Sequence, residues 1–398
     1  MNKIKSNYQG REKTFPGDHL SSSGVKIMPF MDKIHLNGGE NEMLDFRSAH
    51  EKSGYKLCNY VDDFIETEAG PIPRIKTRLD RKDQISTVLV RCGINRYQYR
   101  VVPGVYAVGS PDKTSEVLVT ANFKLTFDIL RKELEGLNLW ILVLDTRGIN
   151  VWCAAGEGNF ATHELVSRIQ KGNLDKIVDH KRVIVPQLGA TGVAARAVKK
   201  ESGFRVVYGP VRAGDIPKFL ENNRKADKTM RAVTFTFLER MILTPVEIQI
   251  ILKPALITAI ILFILSGIGP GLFSFSGAWS RGLAAFAALM TGMVSGAVIT
   301  PALLPFIPVR EFALKGIIAG SLAAMAMFWF VPSASASFSA GIALFLFSVA
   351  ISSFLAMNFT GTTPFTSPTG VEKEMKRYIP VQLISLVLST GLWVYSAF

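Results

Sequence analysis

The sequence predicts an α/β domain built on a Rossmann-like open parallel sheet, followed by an all-α transmembrane domain of five helices. Three observations carry this prediction. Charge is concentrated in the first part of the chain, short apolar runs alternate with amphipathic segments in its middle, and long uncharged runs fill its end. Of 45 Lys+Arg and 32 Asp+Glu in 398 residues, 38 and 28 lie in residues 1–245, which leaves 7 and 4 for residues 246–398. The net charge of +13 therefore divides as +10 and +3. That division excludes a uniform soluble globule, and a hydrophobic fraction of 48% excludes a disordered chain.

Residues 1–83 read as a polar N-terminal extension, 84–245 as the α/β domain and 246–398 as the transmembrane domain. The start, MNKIKSNYQGREKTFPGDHL, has no apolar core of signal-peptide length, so the α/β domain is expected to stay in the cytoplasm. QISTVLVRC and YRVVPGVYAVG are candidate strands at an edge or in a hairpin. EVLVTA, LWILVLDT, KRVIVPQL and FRVVYG are each of strand length, and amphipathic segments follow them at 124–135, 160–171, 192–201 and 215–222. Four such alternations predict parallel strands joined by right-handed crossovers. Ligands of such sheets lie outside the carboxyl ends of the strands. Those ends carry Thr120, Ala121 and Asn122, then RGINVWCAAGEG, then PQLGA at 186–190, then Tyr208, Gly209, Pro210 and Val211. Small residues let backbone approach a broad surface, so this rim suits a flat, bulky ligand.

Residues 254–280, 282–309, 316–371 and 378–398 contain no charged side chain. At roughly 20 residues per crossing, five spans are expected at 248–268, 282–303, 313–331, 338–357 and 379–397. Arg310 and Lys315, and Lys373, Lys376 and Arg377, then share the side of the α/β domain, while the outer connections carry only Arg281. The positive-inside rule thus places a multi-pass protein in the cell's inner membrane with its N-terminal domain in the cytoplasm. A basic domain beside an anionic membrane explains the charge without a nucleic-acid partner. No ionisable residue lies deep in a predicted span, which disfavours an ion-coupled pump. Gly292-x-x-x-Gly296 and Gly316-x-x-x-Gly320 read as helix-packing contacts.

The three cysteines, Cys58, Cys92 and Cys153, form no Cys-x-x-Cys pair and are too few for a conventional four-thiolate iron–sulfur cluster. Cys153 falls between a strand and a helix in NVWCAAGEG. A thiol there is either a small buried hydrophobe or a thiolate favoured by the helix N-terminus. His163 and His180 lie a helix and a loop away, so a Cys/His hydrolase is unsupported. Zinc-ligand spacing and a nucleotide-binding P-loop are lacking, and Gly156-Glu157-Gly158 is only a fragment of a dinucleotide motif.

NVWCAAGEG, together with VLVTANFKLTFD, VPQLGATGV, YGPVRAGDIP and NFTGTTPFTSPTGVEKEM ahead of the last apolar run, resembles the HgcA family. These are the membrane-bound corrinoid proteins of anaerobic microbial mercury methylation, related to the large subunit of the corrinoid iron–sulfur protein of the acetyl-CoA pathway. The resemblance covers residues 84–398 and implies a corrinoid-dependent methyltransferase that passes a methyl group from methyl-cobalt(III) to mercury(II), forming methylmercury. It makes Cys153 the catalytic residue and the lower axial cobalt ligand of a cobalamin-type corrinoid bound base-off, its thiolate pushing electron density toward the opposite cobalt–carbon bond. Asn150, Val151, Trp152, Ala154, Ala155 and Gly156 would form the loop beneath the ring, and Thr120, Asn122, Gly189, Ala190 and Gly209 would contact it from the rim. The implied partners are a ferredoxin-like protein with two four-iron four-sulfur clusters and a methyltransferase delivering the methyl group of methyl-tetrahydrofolate. Lys373, Lys376 and Arg377 are either positive-inside anchors or a docking point for the reductant. Glu157 occupies the place where the family usually has lysine. The histidine-ligand motif of other cobalamin proteins, Asp-x-His-x-x-Gly, is approached only by Asp32 to Gly38, with one residue too many. Two other functions are weighed: a corrinoid methyl carrier of a one-carbon, acetyl-CoA type pathway, and a membrane receptor or transporter with an α/β ligand-binding domain.

Overall fold

The computed structural model describes residues 59–363 and 368–398. Most of the expected extension, with Cys58 and the Asp32 to Gly38 segment, lies outside the described residues. Seven strands form one sheet: β1 (Val61–Ile65), β2 (Ile72–Ile75), β3 (Gly104–Val108), β4 (Val117–Ala121), β5 (Leu139–Leu144), β6 (Arg182–Val185) and β7 (Arg205–Tyr208), in the order β1-β2-β3-β5-β4-β6-β7. The pairings β2–β3, β5–β4, β4–β6 and β6–β7 are parallel, whereas β1–β2 and β3–β5 are antiparallel. The sheet is therefore mixed and mostly parallel, not uniformly parallel as expected. Its first two strands also come from before residue 84, within the stretch read as extension. VDDFI and IPRI are short and interrupted by charge and proline, so neither shows the apolar run of a buried strand.

QISTVLVRC corrects a second expectation. Its β-branched residues suggested a strand, but α1 (Arg81–Arg91) forms there. Asp80 caps it: the Asp83 amide donates to the Asp80 carboxylate, and the Asp83 side chain answers the Asp80 amide. Asp83, Ser86 and Val90 are its buried residues, a helical spacing that outweighs local strand preference.

β4 and β5 are buried along their whole length, as strands covered on both faces must be. Alternate residues supply two cores. Val117, Val119, Trp140 and Leu142 meet α3 (Val151–Glu157), α4 (Thr162–Lys171) and α6 (Ala195–Ser202) on one face. Leu118, Ile141 and Val143 meet α2 (Lys124–Lys132) and α7 (Ile216–Glu221) on the other. A short turn of helix, α5 (Leu174–Ile177), precedes β6. Gly192 admits no side chain: a Cβ there would overlap the Phe160 carbonyl oxygen and come within 3.2 Å of the Ala155 Cα. Gly192→Ala is therefore expected to destabilise by about 1–3 kcal/mol, seen as a lower denaturation midpoint and faster hydrogen exchange in α3.

Beyond α8 (Phe237–Met241) come five helices long and apolar enough to cross a membrane: α9 (Thr244–Gly267), α10 (Phe275–Val294), α11 (Phe312–Phe330), α12 (Phe338–Phe359) and α13 (Pro368–Tyr395). α12 is the most buried of them and α9 the least. The glycine pairs do pack helices: a Cβ on Gly292 or Gly296 would press on α12 near Ile351 and Leu355, and one on Gly316 or Gly320 near Ser352. Past Gly292 the second span continues through a π-helical turn, Ser295–Ile299, to Ala302. Two charges expected in connections lie inside helices instead. Arg281 sits in α10, 4.6 Å over the Trp393 ring, and donates to the Ser266 carbonyl at 3.2 Å. Lys315 is buried in α11, donating to the carbonyls of Leu304 at 2.8 Å and Ile307 at 2.6 Å. Arg281 is tolerated because carbonyls at the end of α9 accept from it, and Lys315 because carbonyls of the turn after the second span do. Lys373, Lys376 and Arg377 likewise belong to the first turns of α13, where Lys376 pairs with Glu372 and Arg377 with Glu311.

Candidate functional site

The strand order β5-β4-β6-β7 reverses direction at β4, which opens a crevice at the carboxyl ends of β4 and β6. A cleft of about 230 Å³ lies there. Thr120 of β4, Thr126 and Ile129 of α2, Asn150, Val151 and Trp152 at the start of α3, Pro186 and Leu188 after β6, and Gly209 to Ala213 after β7 line it. Gly209 is needed for the close approach of its loop, since a Cβ would lie 2.9 Å from Cγ2 of Ile184.

The expected NVWCAAGEG loop is instead mostly helix. Asn150 caps α3, accepting at Oδ1 from the Cys153 amide at 2.9 Å, and Gly158 ends it at φ 82°. Val151, Ala154 and Ala155 are buried in the sheet core, which leaves Trp152 and Cys153 half-buried and Gly156 and Glu157 exposed. Cys153 thus stands in the first turn of α3, on its outward side, as a free thiol. Helix position alone argued for a favoured thiolate. In the fold, burial pushes the thiol upward, the Asn150 side chain pulls it down, Glu157 raises it and Arg96 lowers it, with burial prevailing.

The crevice brings together Thr120, Asn150, Val151, Trp152 and Gly209 among the expected residues. Asn122 has other work: its Oδ1 accepts from the amides of Thr146 at 3.0 Å and Gly148 at 2.9 Å and from the Thr146 hydroxyl at 2.8 Å, while its Nδ2 donates to Asp145 at 3.0 Å. It shapes the connection into α3 instead of lining the cleft. Gly189 lies under the Phe160 ring, where a Cβ would collide, and half-buried Ala190 follows it outside the cleft lining. Ala154 and Ala155 support α3 from below, and Gly156 faces open space, since a Cβ there meets nothing within 4 Å. Missing from the expected set were Thr126, Ile129, Arg212 and Ala213. Thr126 and Ile129 had no sequence signal beyond their place in the amphipathic segment after β4, and Arg212 and Ala213 only their place in the turn after β7.

No group of three His, Cys, Asp or Glu able to hold a bare metal ion occurs among the described residues. A metal at Cys153 would thus bring most of its ligands with it, as a cobalt corrinoid does. The donor chemistry fits: one soft, half-buried sulfur follows the cleft residue Trp152 in the first turn of α3, itself outside the cleft lining, and open space lies over Gly156.

Comparison with known proteins points to the same segment. Residues 95–220 match the family described as CO dehydrogenase/acetyl-CoA synthase delta subunit. The acetyl-CoA decarbonylase/synthase complex subunit gamma of Methanopyrus kandleri is 32% identical over 128 residues, 32% of this chain and 27% of that protein. The subunit gamma of Archaeoglobus fulgidus is 30% identical over 153 residues, 36% of this chain and 32% of that protein. Subunit gamma 2 of Methanosarcina thermophila is 36% identical over 126 residues, 30% of this chain and 26% of that protein. The chain thus spans about a third or less of each relative's length. The matched family segment contains Cys153 and every cleft residue, and it ends before the five apolar helices.

Proposed function

We propose that this chain is a membrane-anchored corrinoid protein that passes a methyl group to an acceptor, and that Cys153 would hold the corrinoid through its cobalt. One observation carries the reading: a free thiol stands in the first turn of α3 beside a switch-point crevice, within residues 95–220, the segment that matches the CO dehydrogenase/acetyl-CoA synthase delta subunit family. A bound corrinoid supplies a cobalt–carbon bond that can be broken toward an acceptor. The chain's own residues hold and orient. Asn150 fixes the first turn of α3 and with it the sulfur, and Trp152 offers an apolar wall to the crevice. Thr120, Val151 and Gly209 line a cleft too small for a whole corrinoid, so it suits one end of a larger ligand lying across the rim.

The acceptor has two readings. The names of the relatives favour a methyl carrier of an acetyl-CoA type one-carbon pathway. Mercury(II) is the second reading, favoured by NVWCAAG followed by five apolar helices, a combination that extends beyond the matched segment. Either reading calls for a ferredoxin-like reductant, a methyl-tetrahydrofolate-linked methyl donor and an inner-membrane location with the α/β domain in the cytoplasm.

The test uses the full chain in nanodiscs with added cobalamin and the two-cluster ferredoxin. Corrinoid is expected to remain bound through gel filtration; release of all of it would sink the proposal and favour a receptor or transporter. Methylated protein is then offered mercury(II) thiolate and, separately, acetyl-CoA synthase. Product from the synthase alone assigns the one-carbon carrier, and methylmercury assigns the second reading. In the latter case Glu157→Lys is expected to raise methylmercury formation several-fold.

A further inference from the structure

α1 turns Asp83, Ser86 and Val90 toward the protein and Ile85, Val88 and Leu89 away from it, the latter 59%, 60% and 37% exposed. Ile94, just beyond the helix, is 47% exposed. Positions i, i+3 and i+4 lie together on one helix face, so α1 carries an apolar stripe where an outer face is ordinarily polar. Arg81, Lys82 and Arg91 flank the stripe, and none of them forms an ion pair among the described residues. The residue that follows supplies the location. At Gly93 (φ 81°) a Cβ would lie 2.7 Å from Oε1 of Gln249 and 3.0 Å from its Cδ, so the end of α1 packs directly on α9. Pro254, where the charge-free run of α9 begins, is five residues beyond Gln249, or about 8 Å along the helix axis. With α9 read as a membrane span, the end of α1 would stand at the depth of the lipid headgroups.

We propose that the outward face of α1, formed by Ile85, Val88 and Leu89 with Ile94, lies in the headgroup layer of the bilayer, with Arg81, Lys82 and Arg91 reaching anionic lipid phosphates. This rests on the reading of α9–α13 as membrane spans and is independent of the corrinoid assignment. The apolar stripe matches the upper acyl region, and the flanking cations match anionic lipid. The contact also bears on the site. Arg96, three residues past Gly93, stands 5.2 Å over the Phe123 ring just beyond β4, so the segment that meets α9 also reaches the rim of the sheet. Laying α1 on the surface would fix the rim's orientation relative to the membrane.

The experiment takes the full chain in nanodiscs of phosphatidylcholine with and without phosphatidylglycerol. It compares Val88→Trp with the unsubstituted chain, so that the native tryptophans cancel, and with Lys200→Trp on exposed α6. The indole added at position 88 should be quenched by lipids brominated near the top of their chains and shielded several-fold from acrylamide relative to the one at position 200. Arg81→Glu with Lys82→Glu, placed in the Val88→Trp chain, should reduce the brominated-lipid quenching where phosphatidylglycerol is present. All of these positions are exposed, so folding should survive, and circular dichroism checks that it does. An indole at 88 as open to acrylamide as that at 200, and untouched by brominated lipid, would overturn the proposal. Shielding that appears only with a soluble partner protein would overturn it too, by assigning the stripe to protein. Failure of the chain to enter nanodiscs at all would overturn the membrane reading itself, and this inference with it.

Discussion

Cys153→Ala is expected to abolish the thiolate-dependent visible absorbance of the corrinoid-loaded chain and to reduce methyl transfer beyond the roughly 10–100-fold that loss of an outer-shell partner costs at a metal site. The fold should persist, because Cys153 is only half-buried and lies outside the core cluster, while Val151, Ala154 and Ala155 hold α3 to the core. Cys153→His supplies another ligand atom on the same turn and should restore binding with a different spectrum. Asn150→Ala removes the acceptor at 2.9 Å from the Cys153 amide. It should cost about 1 kcal/mol of local helix stability and broaden the spectrum without abolishing it. Corrinoid binding by Cys153→Ala with an unchanged spectrum would refute the ligand assignment.

The largest expected loss of stability comes from Arg131→Ala, at about 3–5 kcal/mol. Arg131 is fully buried, donates to Asp83 at 2.5 Å and Asp128 at 2.8 Å, and also reaches the Lys76 carbonyl at 2.6 Å. Lys124 binds the same two carboxylates, at 2.8 and 2.7 Å. Two buried carboxylates thus share two cations, and removing one cation leaves charge uncompensated in a dry site. Faster hydrogen exchange of α1 and α2 is the readout, since this cluster joins the two helices. The pH dependence follows in sign. Burial raises the Asp83 carboxyl, but Lys124 and Arg131 together outweigh it and hold the group below its ordinary value. A depressed carboxylate contributes stability that is complete above its unfolded value, about 3.9, and is lost as pH falls through the folded value. Protection of α1 and α2 should therefore weaken in acid below about pH 4, and Asp83→Asn should flatten that slope.

Legibility in the sequence followed the range of the forces involved. β4 to β7, and α2, α4, α6 and α7 among the helices after them, were readable because each strand carries a short apolar run and each helix one apolar face, whereas α3 was read as a loop. The five apolar helices were readable because hydrocarbon requires long uncharged runs. α1 was not: its local composition is that of a strand, and only the Asp80 cap and the buried pairing of Asp83 with Lys124 and Arg131 make it helical. Nor could Asn122 be told from a ligand contact, since the amides it accepts lie some 24 residues away.

By itself the sequence determined which segments must hide from water, where the charge must lie, and that Cys153 stands near the carboxyl end of a core strand. Tertiary structure alone decided that β3 runs against β5, that α2 supplies a wall of the cleft, that burial opposes ionisation of the thiol, and that α1 meets α9 through Gly93. The physical reason is that burial and charge patterns are written residue by residue, whereas strand direction, cleft walls and local electrostatics arise from groups distant in the chain and brought together only by packing.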